Sequence, residues 1–133
     1  MLKKTITYTD YNGEERTEDF YFNLSKAELA EMELSAEGGL ETKINKIINT
    51  RDTKELISIF KEIVLSSYGE KSDDGRRFIK SEEARKAFSE TEAYSNLFME
   101  LAFDADKASD FINGIIPSDL DKQVQKELTK EAK

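Results

Sequence analysis

The sequence predicts an α+β domain, mostly α-helical, with an N-terminal β-hairpin packed on a bundle of about five or six helices. Three observations predict it. Residues 2–22 alternate with period two around an Asn-Gly dipeptide. Residues 25–116 carry apolar stripes at helical spacing, several opened by capping residues. The length, 133 residues, suits one domain that buries roughly two-thirds of its unfolded surface.

In the hairpin, Thr5, Thr7 and Thr9 alternate with Lys4, Ile6, Tyr8 and Asp10. Asn12-Gly13 accepts positive φ at both central positions of a two-residue turn. Arg16 to Phe22 returns as the second strand, placing Ile6, Tyr8, Phe20 and Phe22 on one apolar face and Tyr21 on the other. A lone hairpin is marginal, so helices must cover that face.

Ser25 and Glu28 form a capping-box pair opening the first helix, which carries Ala27, Leu29, Ala30, Met32 and Leu34 and ends at Gly38-Gly39. A second helix runs from Leu40 through Ile44, Ile47 and Ile48. Asp52 and Glu55 cap a third. Its stripe of Leu56, Ile57, Ile59, Phe60, Ile63, Val64 and Tyr68 is the widest in the chain and marks the centre of the core. Tyr68 to Lys80 reads as a polar connector pinned by Phe78 and Ile79. Ser81 opens a fourth helix, Thr91 a fifth with Tyr94, Leu97, Phe98 and Leu101, and Asp104 or Asp106 a last one with Ala108, Phe111, Ile112 and Ile115. Pro117 stops it. Residues 1–117 thus read as one domain. The tail, 118–133, carries only Leu120, Val124 and Leu128 at i, i+4, i+8, so it is either a frayed helix or a segment that orders on a partner.

Composition excludes several kinds of chemistry. There is no Cys, so no disulfide framework or thiolate site, and no His, the usual metal ligand and neutral-pH base. Twenty Lys+Arg against 28 Asp+Glu leave a net charge of −8, against a nucleic-acid partner. No apolar run approaches the ~20 residues of a membrane span, nor does the N-terminus read as a secretory signal. Asp73-Asp74-Gly75 invites a calcium loop, but the twelfth position falls on Ala84 or Arg85, neither of them the required Glu. Glu14/Glu15, Glu18/Asp19, Glu82/Glu83 and Asp104/Asp106 read as solvated acids, not catalytic pairs. The glycines form no phosphate cradle, and Arg76-Arg77-Phe78 reads as partners for acids. No enzyme, metal site or cofactor is indicated.

The apolar stretch Tyr94 to Phe103 has more to offer. Phe103 lies five residues from Phe98, about 500° round a helix, and so on another face. With Phe111, Ile115 and Ile116 it is expected to form an exposed apolar patch beside the tail, which Leu120 begins. Those five residues are the candidate partner-binding set.

The segment order YTDYNGEERTEDFYFNLSKAEL, YGEKSDDGRRFIK and FSETEAYSNLFMELAFDADKASDFINGIIPSDL, from Lys3 to about Leu120, resembles the tail assembly chaperones of siphophages infecting Gram-positive bacteria. The resemblance implies a non-enzymatic, self-associating protein in the cytoplasm of the infected host, left out of the finished tail. Its partners would be the tape measure protein, which it coats, and the tail tube (major tail) protein, which displaces it. In many members of that family a ribosomal frameshift near the end of the gene makes a second, longer product with an extra C-terminal domain, of which this chain would be the short form. The alternative is a structural component of the virion, a head–tail connector or tail completion protein.

Overall fold

The computed structural model describes residues 1–34, 39–49 and 53–117. Among them are strands β1 (Leu2–Thr9), β2 (Glu15–Phe22), β3 (Tyr68–Lys71) and β4 (Phe78–Ile79), and helices α1 (Lys26–Glu33), α2 (Leu40–Asn49), α3 (Thr53–Ser67), α4 (Glu82–Ser89), α5 (Glu92–Phe103) and α6 (Ala105–Ile115). This is the expected α+β, mostly helical architecture.

The sheet is larger than the hairpin alone. Its order is β1-β2-β3-β4, antiparallel throughout. In the hairpin Leu2 faces Phe22, Lys4 faces Phe20 and Ile6 faces Glu18, so Leu2, Ile6, Tyr8, Phe20 and Phe22 share one face. The turn differs from the two-residue form expected of Asn-Gly. Gly13 alone has positive φ, at +84°. The Gly13 amide donates to the Asp10 carbonyl, and the Asp10 amide to the Glu14 carbonyl. Asp10 decides the longer loop: its carboxylate accepts from the amides of Asn12 and Glu14 and from Arg16 Nε, at 2.9, 3.0 and 2.6 Å.

The segment expected to be a polar connector is a second hairpin. α3 runs straight into β3, so Tyr68 is not the last member of a helical stripe but pairs with Phe22. Gly75, at φ +75°, closes the β3–β4 turn, and Asp74 Oδ1 accepts from Arg76 N and Ser72 Oγ. Gly69 is required by close approach: a Cβ there would lie 2.7 Å from the Phe78 ring and 3.0 Å from the Ile79 carbonyl oxygen.

The helices begin where capping residues satisfy their first amides. Ser25 and Glu28 form the reciprocal capping box, while Ser81, Thr91 and Asp104 accept from first-turn amides of α4, α5 and α6. α1 buries no residue fully and ends at Glu33, leaving Leu34 exposed, because its partial apolar face is spent on Leu29 and Met32. Gly38, Asp52 and the Ile47 and Ile48 side chains lie outside the described residues. Lys43, buried on α2, ties that helix to α3 through Glu62 at 2.8 Å.

The core centres on Phe22, which is fully buried. Its ring meets Tyr68, Phe88 and Phe111 edge-on at 5.8, 5.8 and 5.2 Å, while Tyr68 and Phe88 stack in parallel at 4.2 Å. α3 adds Ile59, Phe60, Ile63 and Val64, but Ile57 of the expected stripe faces solvent. Phe22→Ala is expected to cost about 3–5 kcal/mol, read as a fall in the urea unfolding midpoint.

A second clasp is ionic. Lys80 Nζ donates to the Asn23 carbonyl at 2.7 Å and to the Glu28 carboxylate, fastening α1 to the strand end before α4. Burial pushes the Glu28 carboxyl up, but hydrogen bonds from Lys80 and Ser25 outweigh it and hold the carboxyl below its ordinary value. Burial also lowers Lys80, more than Glu28 raises it. A depressed carboxyl contributes stability above the unfolded value of about 4.3 that is lost as pH falls through the folded one. Melting temperature should therefore drop on acidification below about pH 4.3, and Glu28→Gln should flatten that drop.

Candidate partner-binding surface

α5 presents two faces of different character. Ala93, Leu97 and Leu101, at i, i+4, i+8, are buried against the sheet and its neighbouring helices. Two residues further on, about 200° round the helix, Met99 is 50% exposed and Phe103 80% exposed. They form an apolar ridge along the outer side of α5. Phe98, half-buried, leans on Tyr94 with ring centroids 6.0 Å apart.

Grooves flank the ridge on both sides. One, of about 390 Å³, lies between α5, α3 and the hairpin tip and is lined by Tyr11, Ile57, Lys61, Tyr94, Phe98 and Met99. Ile57 and Tyr11 are exposed there, and a hydrogen bond to the Glu92 carboxylate raises the Tyr11 hydroxyl above its usual pKa. The other groove, of about 580 Å³, lies between α5 and β1, with Thr5, Thr7, Asn96, Met99, Glu100 and Lys107 among its walls. Glu100 pairs with Lys4 at 3.3 Å and Lys107 at 3.2 Å.

The structure divides the expected partner-binding set. Phe103 is at the surface. Phe111, Ile115 and Ile116 are not: each is at most 4% exposed and belongs to the core. The reason is the phase of α6, whose Ala108, Phe111, Ile112 and Ile115 form one inward stripe. The Ile115 carbonyl accepts from the Leu24 amide at 2.7 Å, which seats that end of α6 on the chain leaving β2. Leu120 lies outside the described residues. The exposed patch is therefore built around Met99 and Phe103, with Ile57 and Tyr11 nearby, and not around the end of α6. Its sequence signal was present: Met99 and Phe103 are four apart and out of phase with Leu97 and Leu101.

The acidic residues that the sequence singled out are committed to structure or solvent. Asp74 is spent on its own turn, and Glu14/Glu15, Glu18/Asp19 and Glu82/Glu83 are exposed. Asp104 caps α6. What distinguishes the surface is apolar area in a chain of net charge −8, the signature of a protein-contact face.

A family model for the phage tail assembly chaperone matches residues 1–133. The chain belongs to that family. No curated protein and no solved structure matches it. A tail assembly chaperone acts during infection through protein partners in tail assembly. Among the described residues no helix is long and apolar enough to cross a membrane.

Burial separates core residues from surface residues. Met99→Ala and Phe103→Ala should leave unfolding free energy within about 0.5 kcal/mol of the parent. Ile115→Ala should cost about 2–5 kcal/mol in the same denaturant titration.

Proposed function

We propose that this tail assembly chaperone binds the tape measure protein in the cytoplasm of the infected bacterial host and helps recruit tail tube subunits. The proposal includes its release before the virion is complete and a Gram-positive host. The whole-length family match carries the reading. The exposed ridge of Met99 and Phe103 supports it, because an aggregation-prone client is gripped by apolar contact while the chain's net charge of −8 keeps the complex in solution. In this reading residues 1–117 act as one domain, Phe103 is a principal contact, and the tail from 118 to 133 adds Leu120 to the grip. Self-association of the chain belongs to the same proposal.

Co-expression with the tape measure protein of the same phage, followed by pull-down and size exclusion, tests it. The expected result is a soluble complex, with the tape measure protein insoluble when made alone. A chain that instead co-purifies with assembled tails would establish the alternative, a head–tail connector or tail completion protein. Phe103→Ala should weaken capture by about 5–30-fold, the equivalent of 1–2 kcal/mol, without loss of fold.

A further inference from the structure

β1 is an edge strand, and its geometry makes its free side readable residue by residue. The Asp10 amide donates to the Glu14 carbonyl, so that pair is hydrogen-bonded across the hairpin. Antiparallel alternation then makes Tyr8/Arg16, Ile6/Glu18 and Lys4/Phe20 hydrogen-bonded pairs too. The odd residues Lys3, Thr5 and Thr7 therefore aim their amides and carbonyls away from β2. One observation confirms the parity: Asn96 Nδ2, on α5, reaches the Thr7 carbonyl from outside at 3.4 Å. Among the described residues no other sheet strand lies on that side.

The free edge does not face open solvent alone. It forms one wall of the groove of about 580 Å³ whose other wall is α5. An edge strand with a helix beside it, and a groove between, is the arrangement by which sheets capture an extended peptide as an added strand. Ile6 and Leu97 line its floor, and Met99 of the apolar ridge stands at its rim. At one end of the groove Lys4 and Lys107 share the carboxylate of Glu100, so the groove lining carries two cations against one anion, and Asp110 joins the same three residues in an adjoining cavity of about 140 Å³.

We propose that an extended segment of the protein client, about five residues long, adds to the free edge of β1 as a fifth strand, with a carboxylate directed at Lys4 and Lys107. The backbone of Lys3 and Thr5 and the Thr7 amide supply the hydrogen bonds, the Thr7 carbonyl already accepting from Asn96, and Met99 makes the groove continuous with the ridge. A second copy pairing through its own β1 is disfavoured as the occupant, because Leu2–Thr9 carries no carboxylate to meet Lys4 and Lys107, and self-association is left to another surface. The identity of the client rests on the tail-assembly reading above.

The experiment is amide hydrogen exchange on the full chain, alone and in complex with the tape measure protein, together with capture by edge variants. Thr5 and Thr7 amides should exchange fast in the free chain and at least about tenfold more slowly in the complex, while Lys4 and Ile6 are slow in both. Thr5→Pro removes an outward amide and leaves the β1–β2 backbone ladder in place, losing only the Thr5 Oγ1 hydrogen bond to Asp19, and should cut capture about tenfold or more. Asn96→Trp fills the groove from an exposed helix position and should do the same. Lys107→Gln should lower capture about two- to fivefold.

A complex in which Thr5 and Thr7 stay fast, or which Thr5→Pro and Asn96→Trp leave intact in a chain that melts as the parent does, overturns the inference and leaves the tail-assembly reading standing. Concentration-dependent protection of the same amides in the chain alone assigns the edge to a second copy and also overturns it. Lys107→Gln binding like the parent overturns the carboxylate. Failure of the parent chain to hold the tape measure protein overturns the function and this site together.

Discussion

The structure depends on the burial of Phe22. It is the last residue of the first hairpin, yet its ring touches Tyr68 at the start of β3, Phe88 on α4 and Phe111 on α6. Four segments far apart in the chain thus converge on one side chain. The Tyr68–Phe88 stack closes the cluster, and pairing of Phe22 with Tyr68 in the sheet fixes the backbone at the same point. Edge-to-face and offset aromatic pairs hold defined angles as well as burying area, so the cluster sets orientation and not merely collapse. A chain that is only 38% apolar concentrates its packing there.

The polar residues do complementary work around that centre. Caps satisfy the first amides of α1, α4, α5 and α6, so these short helices start at fixed residues. The Lys80 clasp holds α1, which has little apolar surface of its own with which to dock. With α5 anchored inward by Ala93, Leu97 and Leu101, Met99 and Phe103 have nowhere to go but outward. The exposed ridge follows from the same helical phase that builds the core.

The fold was largely legible because its signals are local. Caps, the alternation of Ile6 and Tyr8 with threonines, and the stripe of α3 each depend on neighbours in sequence. The second hairpin was less legible. Asp74-Gly75 between YGEK and FIK is a turn signal, but β4 is two residues long and too short to alternate. The hairpin turn length was also hidden, because it is set by the Asp10 carboxylate binding two amides and Arg16, which outweighs the Asn-Gly preference.

The candidate surface shows the division most sharply. The sequence by itself determined the helices, their caps, the acidic exterior and the family resemblance, since each is written in residue type and spacing. Only the tertiary structure decided which apolar residues remain outside. Phe111, Ile115 and Phe103 are chemically alike and all helical, but α6 turns its stripe toward Phe22 and Leu24 while α5 turns Phe103 away. Burial is a property of what packs against a face. Which face of α5 and which of α6 met the sheet was settled by the whole chain closing around Phe22.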